Sequence, residues 1–193
     1  KKGETLGFDG RCIMAEYADT LITQLNALGV AVRTDIDLPG AMWEKRPPLS
    51  AQAVWPLPVE YAGESSESKI KRVREFLSEK KAQYLLLTSL EDIAWLLNIR
   101  GNDIHCCPVV LSYLVMDEKE IRLFANEKAF PESVKKALSA DGVTIYPYND
   151  IYDYVQTISG EKKIYLSRSN VNSRLISNIP EKVTILDGEN LTL

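Results

Sequence analysis

Tyr84-Leu85-Leu86-Leu87-Thr88-Ser89-Leu90-Glu91-Asp92-Ile93-Ala94-Trp95-Leu96-Leu97 is the stretch from which the architecture follows. Four consecutive apolar residues read as a short strand buried on both faces. Ser89 then stands at a helix N-cap with Asp92 three residues on, as in a capping box. Ile93, Leu96 and Leu97 form the inward stripe of that helix, and Trp95 is assigned to the core with them. Upstream, Ile70, Val73, Phe76 and Leu77 mark another helix, and the charges of 64–81 are read as its solvated face. Downstream, apolar runs over 109–116 and 120–125 flank Asp117-Glu118-Lys119, the pattern of a β-hairpin. Pro131 opens a helix reaching Ala140, and 143–146 reads as a strand. Ile151, Val155 and Ile158 mark a helix, 163–166 a strand, 171–179 a helix and 183–186 a final strand. Strands alternating with helices around one hairpin predict an α/β domain, a mixed sheet flanked by helices on both faces.

The first 60 residues are thinner. A strand over 5–8, a helix over 15–28 closed by Gly29 and a strand over 30–32 make one strand–helix–strand unit, too little to enclose a core alone. With Lys1 in place of Met, the segment is expected to be the end of a longer domain. Residues 46–58 hold four of the nine prolines and read as an extended, semi-rigid connector at a domain boundary.

With 193 residues, 45% hydrophobic and 26% charged, the chain is a folding sequence and not a disordered one. Its 23 Lys+Arg against 27 Asp+Glu leave a net charge of −4, and neither 1–65 nor 66–193 has the basic excess of a nucleic-acid binder. No apolar run has the roughly 20 residues that a membrane-spanning helix needs. Cys12, Cys106 and Cys107 are an odd set without framework spacing, read as reduced thiols in a cytoplasm. The Asn190-Leu191-Thr192 sequon is then incidental.

His105 is the only histidine, which removes most hydrolytic machinery. Adjacent Cys106 and Cys107 would point to opposite faces of a strand, so His105-Cys106-Cys107 is read as a turn or the start of a strand, not a zinc site. Gly7-Phe8-Asp9-Gly10 lacks the third glycine and the lysine of phosphate-binding loops and reads as a tight turn. The run from Asn98 to Ile104 has two readings. It is a helix C-cap closed at Gly101, or a turn that offers Arg100 and Asp103 to a neighbouring cleft, where a guanidinium binds a peptide carboxylate or carbonyl.

The same run carries a family resemblance. Residues 89–104, followed by Pro108-Val109-Val110-Leu111-Ser112-Tyr113, resemble the second domain of three-domain Xaa-Pro aminopeptidases (aminopeptidase P). The likeness extends to Leu6-Gly7-Phe8-Asp9, to Met42-Trp43-Glu44-Lys45-Arg46-Pro47-Pro48, to Tyr61-Ala62-Gly63-Glu64-Ser65 with Lys69, and to Gly188-Glu189-Asn190. It implies the creatinase/prolidase N-terminal fold, which is ribonuclease H-like. Residues 1–60 would then be the C-terminal part of a first such domain plus the Pro-rich connector, and 61–193 a whole second one, with the catalytic pita-bread domain absent. In the family that missing domain holds two divalent metal ions, usually manganese, on two Asp, one His and two Glu, and removes an N-terminal residue preceding proline. The resemblance therefore implies no catalytic residue, cofactor or metal within these 193 residues. It implies a role in shaping the cleft for a peptide with proline in second position, beside the catalytic domain of the same full-length chain. It further implies a cytoplasmic homodimer at full length, with no nucleic-acid or membrane partner. Because the family presents its Asn-x-Arg-Gly turn to the catalytic domain, Asn98, Arg100, Asp103 and His105 become the substrate-cleft candidates. His105-Cys106-Cys107 departs from the family, where a tyrosine and an asparagine more often precede the proline. Two alternatives stay open: a stand-alone creatinase-like binding module, and the N-terminal region of a related Xaa-Pro dipeptidase or creatinase.

Overall fold

A computed structural model describes residues 1–189. The sequon at Asn190 and the last residue of Gly188-Glu189-Asn190 lie outside the described residues. The chain begins with strand β1 (Thr5–Gly7), helix α1 (Ala15–Ala27) and strand β2 (Ala31–Arg33), a parallel pair joined by a helical crossover. A short helix α2 (Leu38–Met42) follows, capped by the Asp37 carboxylate on the Gly40 amide. Ala15 and Ala18 are fully enclosed where this unit meets the rest of the chain. There the Ala15 amide donates to the Val171 carbonyl at 2.8 Å, and the Ser173 amide to that of Ile13 at 2.8 Å.

The Pro-rich segment is extended and bonded along its length. The Asn126 side chain donates to the Ser50 carbonyl at 2.8 Å, and Val54, buried, donates its amide to Ala129 at 2.8 Å. Next come β3 (Trp55–Pro56), the single turn α3 (Val59–Ala62), α4 (Ser66–Glu79), β4 (Tyr84–Leu87), α5 (Leu90–Leu97) and the two-residue strand β5 (Ile99–Arg100). β3 pairs antiparallel with β5, setting Trp55 opposite Arg100 and Pro56 opposite Ile99. The remaining elements are β6 (Ser112–Met116), β7 (Ile121–Ala125), α6 (Glu132–Ala140), β8 (Val143–Pro147), α7 (Ile151–Thr157), β9 (Lys163–Leu166), α8 (Ser173–Asn178) and β10 (Thr184–Asp187).

Six strands form the main sheet in the order β10-β9-β4-β6-β7-β8, with β6 alone running against its neighbours. Because side chains alternate across a strand, each run serves two cores. Leu85, Leu87, Leu114, Met116, Ile121 and Leu123 pack under α4, α5 and α6. Leu86, Val115, Phe124, Ile164 and Leu166 pack under α7 and α8 together with Ala15 of α1. This is the mixed α/β sheet with helices on both faces that the sequence pattern predicts.

Two boundaries shift by more than one residue from that pattern, and the burial of Trp95 differs. β6 starts at Ser112 and not at Val109, because the backbone of 108–111 bonds to the segment before it: the Leu111 amide reaches the Asp103 carboxylate at 2.8 Å and the Asp103 amide reaches the Val109 carbonyl at 3.3 Å. α8 starts at Ser173, since Asn172 is its N-cap and accepts from the Leu175 amide at 3.0 Å. Trp95 is only half-buried, packed on the rim of the first core and not inside it.

Candidate functional site

The helix that the sequence singled out ends in a residue with left-handed backbone, and that residue is not a glycine. Ser89 caps the start of α5 by accepting from the Asp92 amide at 3.3 Å, and Asn98 closes it at φ 49°. Asparagine tolerates this conformation better than most residues, because its short polar side chain bonds locally. Gly101, expected as the cap, has another use. A Cβ there would lie 2.8 Å from Val110 Cγ2 and 3.0 Å from the Val109 carbonyl oxygen, so only glycine lets these two segments approach.

Asn98 is buried, and both ends of its amide are engaged. Nδ2 donates to the Glu64 carbonyl at 2.8 Å, while Oδ1 accepts from Lys69 Nζ at 2.7 Å. Lys69, on α4, is only 2% exposed; its Nζ also donates to the Trp95 carbonyl at 2.9 Å and lies 4.8 Å from the Trp95 ring centroid. The Arg72 guanidinium approaches the same ring at 5.6 Å and bridges to Glu64 at 2.6 Å. Burial pushes the Lys69 ammonium below the ordinary lysine value; Glu64 opposes that shift, and Arg100 and Arg72 add to it. The Arg72 hydrogen bond holds the Glu64 carboxyl below its usual range. The charge pattern places Lys69 on the solvated face of its helix, whereas the structure buries it. A lysine so enclosed is rare unless its charge is partnered, and here carbonyl, amide and indole surround it.

Arg100 is half-buried and turns back on its own helix: Nη1 donates to the Ala94 carbonyl at 2.7 Å and to the Ile99 carbonyl at 2.8 Å. It thereby satisfies part of the carbonyl end of α5. Asp103, also half-buried, accepts the Leu111 amide on Oδ2, whereas its Oδ1 is buried with no hydrogen-bond partner among the described residues. His105 is exposed, in a turn closed by the Cys107 amide on the Ile104 carbonyl at 3.2 Å, with Cys106 at φ 62°. The Cys107 thiol lies 3.8 Å from a Glu91 carboxylate oxygen, and burial, followed by that carboxylate, pushes its pKa up. No hydrogen bond joins any two of Asn98, Arg100, Asp103 and His105 among the described residues. They are neighbours in sequence with separate tasks.

Two exposed apolar residues that the sequence pattern does not single out adjoin them. Trp55, opposite Arg100 in the β3–β5 ribbon, is 38% exposed, and Ile104 is 42% exposed. Trp55 lies amid prolines, between a buried Val54 and Pro56, and a large ring in an extended strap was the available signal. For metal chemistry the donor set does not fit: among the described residues, no three His, Cys, Asp or Glu side chains gather into a group able to hold an ion. No helix of the described residues is long and apolar enough to cross a membrane.

Comparison with known proteins agrees with this architecture. Xaa-Pro aminopeptidase 1 of Dictyostelium discoideum is 30% identical over 196 residues, covering 94% of this chain and 31% of the relative. An Xaa-Pro aminopeptidase of Caenorhabditis elegans is 31% identical over 159 residues, covering 80% of this chain and 25% of the relative. The crystal structure of the X-prolyl aminopeptidase from Caenorhabditis elegans, described as a cytosolic enzyme with a di-nuclear active site, superposes with a TM-score of 0.87 at 27% identity. That match covers 97% of this chain and 32% of the solved one. The chain thus spans between a quarter and a third of the length of these relatives. The Creatinase/Prolidase N-terminal domain model matches residues 45–192, and the chain belongs to that family.

Proposed function

We propose that this chain is the non-catalytic N-terminal region of a metal-dependent Xaa-Pro aminopeptidase, shaping the cleft in which a peptide with proline in second position is cut. The observation that carries the reading is the superposition of 97% of the chain, at a TM-score of 0.87, on an X-prolyl aminopeptidase three times its length. In this reading 1–60 completes a first creatinase-like domain, 61–193 is the second, and a downstream catalytic domain of the same chain supplies two divalent ions, manganese by preference. The full-length protein is a cytoplasmic homodimer, and the 193 residues alone are inactive.

What this chain contributes is placement. The Asn98 turn, locked from inside by Lys69, fixes the backbone of Ile99 and Arg100. Nη1 of Arg100 is anchored on two carbonyls, which orients the rest of its planar, permanently charged group. Its remaining donors would take a carbonyl or carboxylate of the peptide, with Trp55 and Ile104 as apolar walls.

The test is Arg100→Ala in the full-length protein. The expected result is a fall in kcat/KM of roughly ten- to a hundredfold, the scale of one lost charged contact, with metal content unchanged. Arg100→Lys should recover little, since a point charge cannot reproduce the guanidinium fork. A lower Tm with kcat/KM within about twofold of wild type would reduce Arg100 to a helix-end donor and refute its cleft role. A wild-type full-length protein that releases no residue preceding proline would refute the parent activity itself.

A further inference from the structure

At the opposite end of the sheet from the Asn98 turn, where β4 and β9 begin, lies an open cleft of about 750 Å³. That volume falls in the range of small-molecule sites, about 300–1,000 Å³. Three separate elements bring cations to it: Arg74 and Lys81 from α4 and its end, Lys119 from the β6–β7 turn, and Lys162 from the turn before β9. Among the described residues none of the four makes an ion pair. Of the two carboxylates in the lining, Asp117 bridges to Arg122 at 2.8 Å, a guanidinium it shares with Glu120 at 2.7 Å, and accepts the amides of Lys119 and Glu120 at 2.8 and 2.9 Å. Glu118 is the only other. On a chain of net charge −4, this is a local positive excess facing a concave surface.

Two details give the cleft the character of a site. Arg74 lines the cleft, and its Nε is buried with no hydrogen-bond partner among the described residues, so the guanidinium is not committed to any group of the protein through that atom. Lys81 occupies the position just past the helix end, at φ 55°, where glycine is the residue of least strain. The bonds there are those of a Schellman motif: the Lys81 amide reaches Ser78 at 3.0 Å and the Ala82 amide reaches Leu77 at 2.9 Å. A cation near the last carbonyls of α4 also complements the helix dipole, which accounts for the sign of Lys81. It does not account for Arg74 in the body of the helix, or for Lys119 and Lys162 arriving from other elements.

We infer that this cleft binds a small phosphorylated ligand carrying at least two anionic groups, one on the Arg74 guanidinium and another between Lys81, Lys119 and Lys162. Inorganic pyrophosphate serves as the probe, measured by calorimetry on the 193-residue chain. One saturable site is expected, binding at least about tenfold tighter than inorganic phosphate and weakening steeply with salt. Lys119→Ser/Lys162→Ser should weaken it about tenfold or more, as for lost charged contacts, while Lys45→Ser/Lys136→Ser, with both lysines exposed elsewhere, leaves it within about twofold. Lys81→Gly separates binding from folding, because it should hold or raise Tm by relieving the left-handed backbone and yet weaken pyrophosphate severalfold. No saturable binding in the millimolar range would overturn the inference, and so would equal losses in both double variants. An acidic peptide that outcompetes pyrophosphate would make the cleft a protein-docking surface and overturn the small-ligand assignment as well.

Discussion

Lys69→Met tests whether the buried lysine holds the Asn98 turn together. Methionine keeps the length and apolar stem of the side chain and removes only the ammonium. Two acceptors then lose their donor. Asn98 Oδ1, 2.7 Å from Nζ, is left without a partner inside the protein, a loss of about 1–3 kcal/mol for a buried polar atom. The Trp95 carbonyl loses a 2.9 Å bond but keeps a weak one from the Asn98 amide at 3.4 Å, so its share is a few tenths of a kcal/mol, roughly the low end for a net hydrogen bond. The indole loses a cation 4.8 Å from its centroid, worth about 1–2 kcal/mol when desolvated. Against these stands relief of the ammonium's own dehydration, which opposes them and whose sign appears in its depressed pKa. The net expectation is a destabilisation of about 2 kcal/mol, read as a lower urea midpoint at unchanged m. A variant within about 0.5 kcal/mol of wild type, or more stable, would show that dehydration cancels every bond the ammonium makes, and would refute the account of the turn.

Trp95→Ala should cost about 1.5–3 kcal/mol in the same denaturation assay, less than the ~3–5 kcal/mol of an enclosed aromatic, because the ring is half-buried under Lys69 and Arg72; a loss above about 4 kcal/mol would return it to the core. Burial raises the phenols of Tyr113, Tyr152 and Tyr154, the last to about 12. A folded pKa above the unfolded value near 10 gives stability that is complete below about pH 10 and lost as pH rises through the folded values. Tm should therefore fall across that alkaline window while phenolate absorbance lags behind that of the unfolded chain, and tyrosines ionising at the ordinary midpoint in the folded protein would contradict it.

The sheet was legible because its strands are short, apolar and bounded by turn residues. Leu85-Leu86-Leu87 could only be a strand facing two cores, and the structure divides it so, with Leu86 on one side and its neighbours on the other. What escaped depends on contacts distant along the chain. Lys69 sits among Glu67, Ser68, Lys71 and Arg72, a context in which any charge reads as solvated, and its partner Asn98 lies 29 residues away. Trp95 follows from that error, since the ring read as core has the Lys69 ammonium 4.8 Å from its centroid. The sequence reads 98–104 as one turn, whereas Ile99 and Arg100 form a short strand paired with Trp55 and Pro56, a contact distant along the chain; and whether Arg100 reaches outward or back to Ala94 depends on a side-chain torsion that sequence spacing leaves open.

Asn98 combines two contributions that substitution can separate, namely a left-handed backbone and a side-chain amide spanning Lys69 and Glu64. Asn98→Gly removes the amide but suits φ 49°, whereas Asn98→Ala removes the amide and retains the backbone strain. Losing the amide leaves the Glu64 carbonyl without that donor and the Lys69 ammonium without one of its two acceptors, together about 2–4 kcal/mol. Backbone relief returns roughly 1 kcal/mol to the glycine variant alone. Asn98→Gly should therefore lose about 1–3 kcal/mol and Asn98→Ala about 1 kcal/mol more. In the full-length protein both should reduce kcat/KM more than their Tm change accounts for at the assay temperature, because Arg100 sits two residues beyond the hinge they loosen. If Asn98→Gly matches wild-type stability, the residue is there only for its backbone and the amide network contributes nothing. If stability falls as expected but kcat/KM holds, the network supports the fold without orienting Arg100, and the positioning role assigned to this turn is wrong.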